Sequence, residues 1–555
     1  MKNSIRFSNL DRSKTIEELS KESYDLVVIG GGITGGGIAL DAAARGLKVA
    51  LVEKRDFASG TSSKSTKLIH GGLRYLKQFD FWLVKEVGSE RAIVHKLAPH
   101  LVLPEKMLLP LIENGSYGKW LTSIGLKVYD ILAQVTGDDK RKMLEKKEAM
   151  KLEPLLPKKI LKGAGYYAEY RTDDARLTIE TIKTSLQHGA KALNYAEVSE
   201  FIYKDDMVAG VVVKDTLTEE TFEIKSKYVI SAAGPWVDEL RSVNKSKKGK
   251  RLHLTKGVHL VFPHDKLPIK QSVYFDVPDG RMMFAIPRGK ITYIGTTDTN
   301  FDRDKDHVKT ELADAIYLIS AVNNMFPKIN LEMKDIISSW AGLRPLIHEE
   351  GKSASELSRK DEIFVSDSGL FSMAGGKLTG YRKMAERVMN RIAKKMHEDY
   401  EVEIDESTTE NIPLCGSDFK KFKHVKKYIN EIYERIKGDG FAKYNAWFLV
   451  TNYGIQTETI LDYYAELKGE DKEVNLALAE LRFGIEFEMV QNPMDFFIRR
   501  TGRLYFDIDG VRNLMDPVLA EFKKVYKVDD AQLASWKENL NTQIIEHSDF
   551  SMDRV

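Results

Sequence analysis

The pattern of apolar and polar positions is clearest between residues 24 and 53. "YDLVVIG" (24–30) is continuously apolar from Leu26 onward, which is typical of a parallel strand buried on both faces. "GITGGGIALDAAARG" (32–46) is rich in small residues and predicts a helix that ends at Gly46, and "KVALVE" (48–53) predicts a second strand. The stretch therefore predicts a strand, a tight turn, a helix and a strand.

Further along the chain the pattern changes from mixed to purely helical. Residues 79–98, 117–135 and 372–396 have helical patterns, and alternating positions predict strands from about 195 to 235 and from 253 to 298. Beyond about residue 405 the strand signals stop. There, 418–438 has apolar residues at helical spacing, namely Phe419, Phe422, Val425, Ile429, Ile432 and Ile436. We therefore place the main domain boundary near 400–410.

Composition narrows the class of protein. The 555 residues are 43% hydrophobic and 30% charged, and 84 Lys and Arg nearly balance 82 Asp and Glu. This balance argues against a protein that coats nucleic acid, which normally has a strong basic excess. With one cysteine, Cys415, the chain forms no internal disulfide, which indicates a reducing compartment. The charged N-terminal stretch is not a signal peptide, and no apolar run reaches the ~18 residues of a spanning helix.

The glycines at the predicted turn carry chemistry. Gly30, Gly32 and Gly35 follow the pattern Gly-x-Gly-x-x-Gly between a strand and a helix, and Glu53 ends the next strand. In this pattern the first glycine permits a tight turn, the second lets a pyrophosphate approach the backbone, and the third allows helix and strand to pack closely. The acidic residue accepts hydrogen bonds from a ribose, so the arrangement predicts a dinucleotide site.

The choice between NAD and FAD depends on three later segments. "TSSKST" (61–66) offers hydroxyls and backbone donors along a pyrophosphate, and Ala233-Gly234 ends a buried strand without bulky side chains. "AGGKLTGYRKMAE" predicts a Gly-Gly turn at a helix start, whose amides favour developing negative charge. No second Gly-x-Gly-x-x-Gly is present for NAD. Together these features favour FAD.

At this point the chain resembles a known family. "SSKSTKLIHGGLRYL", "YRTDDARL", "SAAGPWVDEL", "IGTTDT", "GLRPL" and "GGKLTGYRKMAE" resemble the FAD-dependent glycerol-3-phosphate dehydrogenases of bacteria and mitochondria, and the resemblance runs from about 24 to 545. The related oxidases, which use oxygen, typically carry an additional insertion that this chain lacks. The resemblance implies oxidation of sn-glycerol 3-phosphate to dihydroxyacetone phosphate, with hydride transfer from C2 to FAD and electrons passed to membrane quinone.

The resemblance also implies an architecture. The fold class is α/β (α+β), with a Rossmann-like FAD domain of the glutathione-reductase type, an inserted antiparallel-sheet substrate domain and an all-α C-terminal domain. We expect an N-terminal segment over 1–23, an oxidoreductase region over 24–404 and a helical domain over 405–555. Within 24–404, the FAD domain would take 24–100, 160–255 and 335–404, and the substrate domain would take 101–159 and 256–334.

Residue roles follow from the matching motifs. His259 in "TKGVHLVFP" is the expected base and Arg344 the expected polarising cation, because histidine accepts a proton near neutral pH and a guanidinium stabilises negative charge. The expected substrate residues are Arg74, Tyr75, Arg359 and Lys377. The expected cofactor residues are Gly30, Gly32, Ile33, Thr34, Gly35, Glu53, Lys54, Thr61, Ser62, Ser63, Lys67, Leu68, His70, Val198, Ala233, Gly234, Gly375, Lys377, Leu378 and Thr379. No residue spacing predicts a metal site.

Partners remain open at this point. A donor of electrons to quinone must touch a membrane, so we expect a cytoplasmic protein bound peripherally, with 117–135 and the Lys-rich face of 418–438 as candidate contacts. The C-terminal helices would serve this interface or a homodimer. Two alternatives stay open, an oxidase that uses oxygen and a flavin-dependent RNA-modifying protein, although the balanced charge disfavours the second.

Overall fold

The structure, a computed structural model, describes residues 5–70, 81–113, 115, 140–348 and 361–550. In chain order its strands are β1 Ser23–Ile29, β2 Val49–Val52, β3 Leu68–Ile69, β4 Leu103–Ile112, β5 Lys142–Glu145, β6 Leu161–Arg171, β7 Lys191–Leu193, β8 Ala196–Lys204, β9 Met207–Asp215, β10 Thr221–Ser231, β11 Leu252–Pro263, β12 Ser272–Asp276, β13 Met282–Arg288, β14 Ile291–Gly295, β15 Thr299–Asn300, β16 Ser338–Ile347, β17 Glu362–Val365 and β18 Phe371–Ala374.

The helices complete the list of elements. They are α1 Arg12–Lys21, α2 Ile33–Ala44, α3 Phe81–Leu97, α4 Lys146–Leu152, α5 Asp174–Gln187, α6 Val237–Val243, α7 Leu312–Met325, α8 Tyr381–Tyr400, α9 Phe422–Ile436, α10 Lys443–Tyr453, α11 Thr457–Glu466, α12 Lys472–Phe487, α13 Arg503–Phe506, α14 Ile508–Tyr526 and α15 Asp530–Ser548, with a π-helix at Asp495–Arg500.

The first sheet contains the predicted strand, helix and strand. Its order is β17-β18-β10-β1-β2-β7, and the β8–β9 hairpin pairs with β10. β1 lies between β10 and β2 and is parallel to both. All four residues of β2 and the last four of β1 are buried, as the continuous apolar runs require. The loops that follow β10 and β2 therefore flank the glycine-rich turn after β1.

Helix α2 packs closely against two other helices because of its small residues. A β-carbon added at Gly36 would lie 3.0 Å from Ile182 of α5, and one at Gly37 would lie 2.9 Å from the ring of Tyr381 of α8. Glycine at these positions lets α5 and α8 approach α2 over the first sheet. The helix rich in small residues is thus a packing surface as well as part of the turn.

The second sheet has ten strands in the order β15-β11-β14-β13-β12-β4-β6-β3, with β16 beside β11 and β5 beside β6. Among the described residues, all its strand pairs are antiparallel except β4 with β12. The boundaries that we predicted for the two domains differ from the sheet boundaries, because β6 and β16 fall in segments that we assigned to the FAD domain. β16 pairs with β11 over ten residues and β6 pairs along β4, and such long-range pairing leaves no local signal.

The described part of the chain after residue 404 is entirely helical or irregular, as predicted. Helix α9 buries the apolar stripe Val425, Ile429, Ile432 and Ile436 in the core of this region. Helices α12, α14 and α15, together with Tyr505 of α13, extend the core of the second sheet through Trp340. No helix in the described ranges is long and apolar enough to span a bilayer.

A buried ionic network joins this helical region to the first sheet. Asp56, in the loop after β2, is fully buried and accepts two hydrogen bonds from Arg500 at 2.8 and 2.9 Å and one from Arg499. Asn194 adds a further hydrogen bond at 3.0 Å. Burial alone would raise the pKa of Asp56, but the charges of Arg500 and Arg499 hold it below its usual value. The loop after β2 is therefore anchored from behind by the C-terminal region.

Candidate active site

A cavity of about 490 Å³ lies at the carboxyl ends of the parallel strands of the first sheet. Ligands of open α/β sheets bind at this edge. Fourteen of the predicted cofactor residues line the cavity: Gly30, Gly32, Ile33, Thr34, Glu53, Lys54, Thr61, Ser62, Val198, Ala233, Gly234, Gly375, Lys377 and Leu378. The structure thus brings together segments that are more than 300 residues apart in the sequence.

The glycine-rich turn has the geometry that close approach requires. Gly30 has φ +113°, and a β-carbon there would lie 2.7 Å from the carbonyl oxygen of Ala232. A β-carbon at Gly35 would lie 1.8 Å from the carbonyl oxygen of Gly30, so only glycine lets α2 start against β1. The first turn of α2 directs its amides to the cavity, and the N–H of Ile33 donates to the Ser62 hydroxyl at 2.9 Å. A helix N-terminus of this kind favours phosphate.

Glu53 closes the other side of the turn. Its carboxylate accepts hydrogen bonds from the N–H groups of Gly31 at 2.7 Å and Arg55 at 3.0 Å. Burial raises the pKa of Glu53, although these two donors act in the opposite direction. An acidic side chain on the cavity wall beside a helix N-terminus fits the ribose and pyrophosphate of a dinucleotide, so the residues present suit FAD.

The Gly-Gly segment differs from our expectation in one respect. Gly375 and Gly376 have φ values of +76° and +87°, but α8 begins only at Tyr381. The two glycines therefore belong to a loop before the helix, and the predicted helix start at this turn is wrong. The positive φ values still bring the backbone and Lys377 to the cavity wall.

Six predicted cofactor residues are not among those that line the cavity: Gly35, Ser63, Lys67, Leu68, His70 and Thr379. Lys67 is buried and donates to Asp174 at 2.5 Å and to the carbonyl of Ser63 at 3.1 Å. Its ammonium group therefore neutralises a buried carboxylate instead of facing the cavity. Thr379 exchanges hydrogen bonds with the backbone of His70 at 3.2 Å and supports the wall indirectly.

His259 lies on β11, in the second sheet, between two neighbouring strands. Its ring stacks on Trp340 with a centroid distance of 4.7 Å, and it fills the space that a side chain on Gly295 would take. Its Nε2 is 3.0 Å from the Thr66 hydroxyl, whereas Nδ1 has no hydrogen-bond partner among the described residues. Burial lowers the pKa of His259 well below its usual value, and the positive charges of Arg344 and Lys67 lower it further. The imidazole is therefore neutral at pH 7.

Arg344 lies on β16, one strand away from His259. Its guanidinium crosses Gly257, where a β-carbon would be 2.3 Å from Nη2. Nη2 donates to the Thr296 hydroxyl at 2.9 Å, and Nη1 donates to the Thr297 carbonyl and to Asp298. The "IGTTDT" motif thus holds the guanidinium, and Gly257 gives it room.

The loop 61–67 connects this pair to the cavity. Thr61 donates to the Leu343 carbonyl at 2.7 Å, and the Trp340 indole donates to the Ser65 carbonyl at 3.0 Å. Thr61 and Ser65 both line the cavity, and Thr66 contacts His259. The histidine and the arginine therefore lie behind the part of the cavity wall that the 61–67 loop forms.

Three expected substrate residues, Arg74, Tyr75 and Arg359, lie outside the described residues, as does the candidate membrane segment 117–135. The sequence interpretation missed Gly257 and Gly295, although a glycine inside a strand pattern signals a close approach. It also missed Arg55 and Trp236 on the cavity wall. The described residues contain no group of three or more metal-ligating side chains.

Comparison with known proteins adds to this geometry. Residues 25–382 match the family model described as FAD dependent oxidoreductase, and residues 407–533 match the C-terminal domain of alpha-glycerophosphate oxidase. The chain is 49% identical over 539 residues to the aerobic glycerol-3-phosphate dehydrogenase of Bacillus subtilis, with 97% of each chain covered. It is 47% identical to the enzyme of the same name from Staphylococcus aureus, with 98% of each covered. The crystal structure of the glycerol-3-phosphate dehydrogenase from Bacillus halodurans complexed with FAD superposes with a TM-score of 0.84 at 43% identity, covering 98% of this chain and 99% of that one.

Proposed function

The chain belongs to the FAD-dependent oxidoreductase family, and on this basis we propose that it oxidises sn-glycerol 3-phosphate to dihydroxyacetone phosphate. Family membership confirms the predictions of FAD and of the fold class. The observation that carries the choice of substrate is the 49% identity over 97% of both chains with a glycerol-3-phosphate dehydrogenase.

The residues behind the cavity wall fit this reaction. Bound FAD supplies the acceptor for the two electrons that leave C2 of the alcohol. If Nε2 of His259 donates to Thr66, its Nδ1 lone pair is the site that accepts the hydroxyl proton. A neutral imidazole is needed for this role, and burial keeps it neutral. Arg344, held by the 296–298 backbone and side chains, polarises the substrate oxygen.

The substrate's phosphate needs cations as well. Lys377 lines the cavity, and planar guanidinium groups suit phosphate well because they bind two oxygens at once. Arg74, Tyr75 and Arg359 remain proposals for this part of the site.

The decisive experiment is anaerobic. The purified yellow protein is mixed with glycerol 3-phosphate without oxygen, and the flavin absorbance is followed. Bleaching is expected, and an unchanged flavin spectrum would exclude the proposed substrate. His259→Asn should lower the rate of flavin reduction by ~100-fold or more, the usual contribution of a general base, while the flavin content stays the same. Loss of bound FAD in that variant would instead mean that His259 is structural.

The second candidate is an oxidase that passes electrons to oxygen. The match of residues 407–533 to the C-terminal domain of alpha-glycerophosphate oxidase favours it. For the dehydrogenase we propose membrane quinone as the electron acceptor, because the chain lacks the insertion expected of the oxidases. One equivalent of peroxide per substrate, formed without quinone, would establish the oxidase.

A quinone-linked enzyme must reach a bilayer, and we propose the lysine-rich face of α9 as the contact. The apolar stripe of this helix is buried, and its first turns expose Lys423, Lys426 and Lys427. Lys420 and Lys421, directly before the helix, are also exposed. Each lysine near an anionic surface contributes ~1 kcal/mol of attraction. Cosedimentation with phosphatidylglycerol vesicles, but not with neutral ones, is expected.

Two matched variants each reverse three lysine charges, one at the proposed contact and one at an exposed site distant in the sequence. Glutamate at 420, 423 and 426 should abolish vesicle binding, whereas glutamate at the exposed lysines 245, 247 and 248 should not. Equal loss in both variants would assign the attraction to net charge. A homodimer stays a prediction, which light scattering at micromolar concentration tests directly.

A further inference from the structure

A loop from the second sheet reaches the first sheet beside the nucleotide cavity. It runs from Phe301, whose N–H donates to the Leu254 carbonyl at 2.9 Å, to Glu311 before α7. Arg303 donates to Glu311 at 2.7 and 2.9 Å, and Lys256 donates to the same carboxylate at 2.6 Å. The base of the loop is therefore held firmly, and Asp306 lies near its middle.

The carboxylate of Asp306 joins two loops of the first sheet. One of its oxygens is 2.6 Å from Nη2 of Arg55, in the loop after β2, and accepts a hydrogen bond from the Trp236 indole at 2.7 Å, in the segment after β10. The ammonium of Lys54 lies 3.7 Å from the same oxygen. Lys54 and Arg55 also lie 4.9 and 5.4 Å from the Trp236 ring centre, at cation–π range.

These contacts join residues on two sides of the cavity wall. Lys54, Arg55 and Trp236 all line it, and β2 and β10 flank β1 on opposite sides. The neighbouring Lys305 adds a second tie, because it pairs with Glu239 and donates to the Pro235 carbonyl at 3.5 Å. The loop after β2 and the segment after β10 are therefore bound to one another through a third element that belongs to the other sheet.

The contacts of Asp306 with Arg55 and Trp236 are partly exposed to solvent, so they break and re-form in the folded protein. The side chains of Arg55 and Asp306 are 36% and 46% exposed, so the pair exchanges with water more readily than a buried pair does. Burial alone would raise the pKa of Asp306, but the hydrogen bonds from Arg55 and Trp236 and the charges of Arg55 and Lys54 together lower it and keep the group ionised at neutral pH. The Asp304 carboxylate fixes the turn by accepting from the N–H of Asp306 at 2.9 Å.

We propose that Asp306, by holding Arg55 and Trp236 together, forms a clamp that closes the Glu53 end of the nucleotide cavity. This clamp sets the rate at which FAD enters and leaves. Entry and release require the Arg55 and Trp236 segments to separate, and Asp306 is the group that holds both. The clamp acts on the dinucleotide and not on the alcohol, so it stands whether or not glycerol 3-phosphate is the substrate.

The test compares rates of FAD exchange in full-length variants. Apoprotein is mixed with FAD, and the quenching of flavin fluorescence gives the association rate. Dilution of the holoprotein gives the dissociation rate. Asp306→Ala should raise both rates at least fivefold, because opening no longer breaks the three contacts. Asp306→Asn keeps an oxygen for the indole N–H and for Arg55, so its rates should rise less.

The control is Asp302→Ala, which removes the same charge from an exposed position of the same loop. Its exchange rates should stay within twofold of wild type. Rates within twofold of wild type for Asp306→Ala would overturn the clamp, and so would slower release, which would show that Asp306 acts only by opposing the cations around the phosphates. Equal acceleration in Asp302→Ala would also overturn it. Thermal unfolding temperatures of the three apoproteins should lie within about 4 °C of wild type, because partly exposed ion pairs contribute only ~0–1 kcal/mol.

Discussion

Replacing Asp56 by asparagine should destabilise the protein more than any exposed charge change, because Asp56 is the centre of the buried network that links the C-terminal helices to the nucleotide loop. The carboxylate is fully buried and accepts hydrogen bonds from Arg499, from both Nη atoms of Arg500 and from Asn194. Asparagine keeps the shape but leaves the buried guanidinium of Arg500 and the largely buried one of Arg499 without their main counter-charge.

The expected loss of unfolding free energy follows from the burial of the Asp56 carboxylate. Removing one partner of a buried ion pair costs ~3–5 kcal/mol. Arg499 keeps a contact with Asp495 at 2.6 Å and Arg500 keeps the Glu488 carbonyl, so the lower end, about 3 kcal/mol, is expected. At roughly 2–4 °C per kcal/mol, the first thermal transition should fall by about 6–12 °C.

The assay is differential scanning calorimetry of the apoprotein at pH 7 and at pH 3. The folded-state pKa of Asp56 is depressed, so its contribution is present above the unfolded pKa of ~3.9 and is lost as the pH falls through the folded value. The difference between wild type and variant should therefore shrink at pH 3. Asp11→Asn is the control, because its pair with Arg6 is about half exposed and is worth ~0–1 kcal/mol. A variant at position 56 that melts within 2 °C of wild type at pH 7, a threshold of roughly half a kcal/mol, would refute the reasoning.

Three further predictions rest on local geometry. Gly35→Ala should lose bound FAD, seen as flavin absorbance per protein, because its β-carbon would lie 1.8 Å from a backbone carbonyl oxygen; Gly438→Ala, with open space around it, should keep the flavin. Gly257→Ala should displace the guanidinium of Arg344, which lies 2.3 Å from the new β-carbon, and lower kcat/KM by ~10-fold or more with FAD content unchanged; an unchanged kcat/KM would show that Arg344 does not act on the substrate. Cys415 should resist thiol reagents in the native protein at pH 8, since burial raises its pKa to about 12, and rapid labelling before unfolding would contradict this.

Local sequence signals predicted those parts of the site that depend on backbone periodicity and on glycine. The apolar runs of β1 and β2 and the small residues of α2 each satisfy a requirement of their own segment, and they locate the nucleotide turn without reference to the rest of the fold. The helical stripe of α9 is also a local signal, because its 3.6-residue period is visible within one short segment of the sequence.

Side-chain partners across long distances were not predictable in this way. Lys67 was expected at the cofactor, but Asp174, 107 positions away, takes its ammonium group. The placement of β16 in the second sheet depends on its register with β11, and Asp306 reaches Arg55 only because the two sheets pack together. In each case the deciding partner lies far along the chain.

The sequence by itself determined the nucleotide turn, the helical C-terminal region, the cofactor and the family, because these depend on short-range periodicity and on contiguous motifs. Only the tertiary structure decided which charged side chains face the cavity and which are buried in pairs. It also placed His259 in the space beside Gly295, and it brought a loop of the second sheet against Arg55 and Trp236 on the cavity wall. The physical reason is that burial and charge neutralisation depend on every element packed around a side chain, and most of those elements are distant in the sequence.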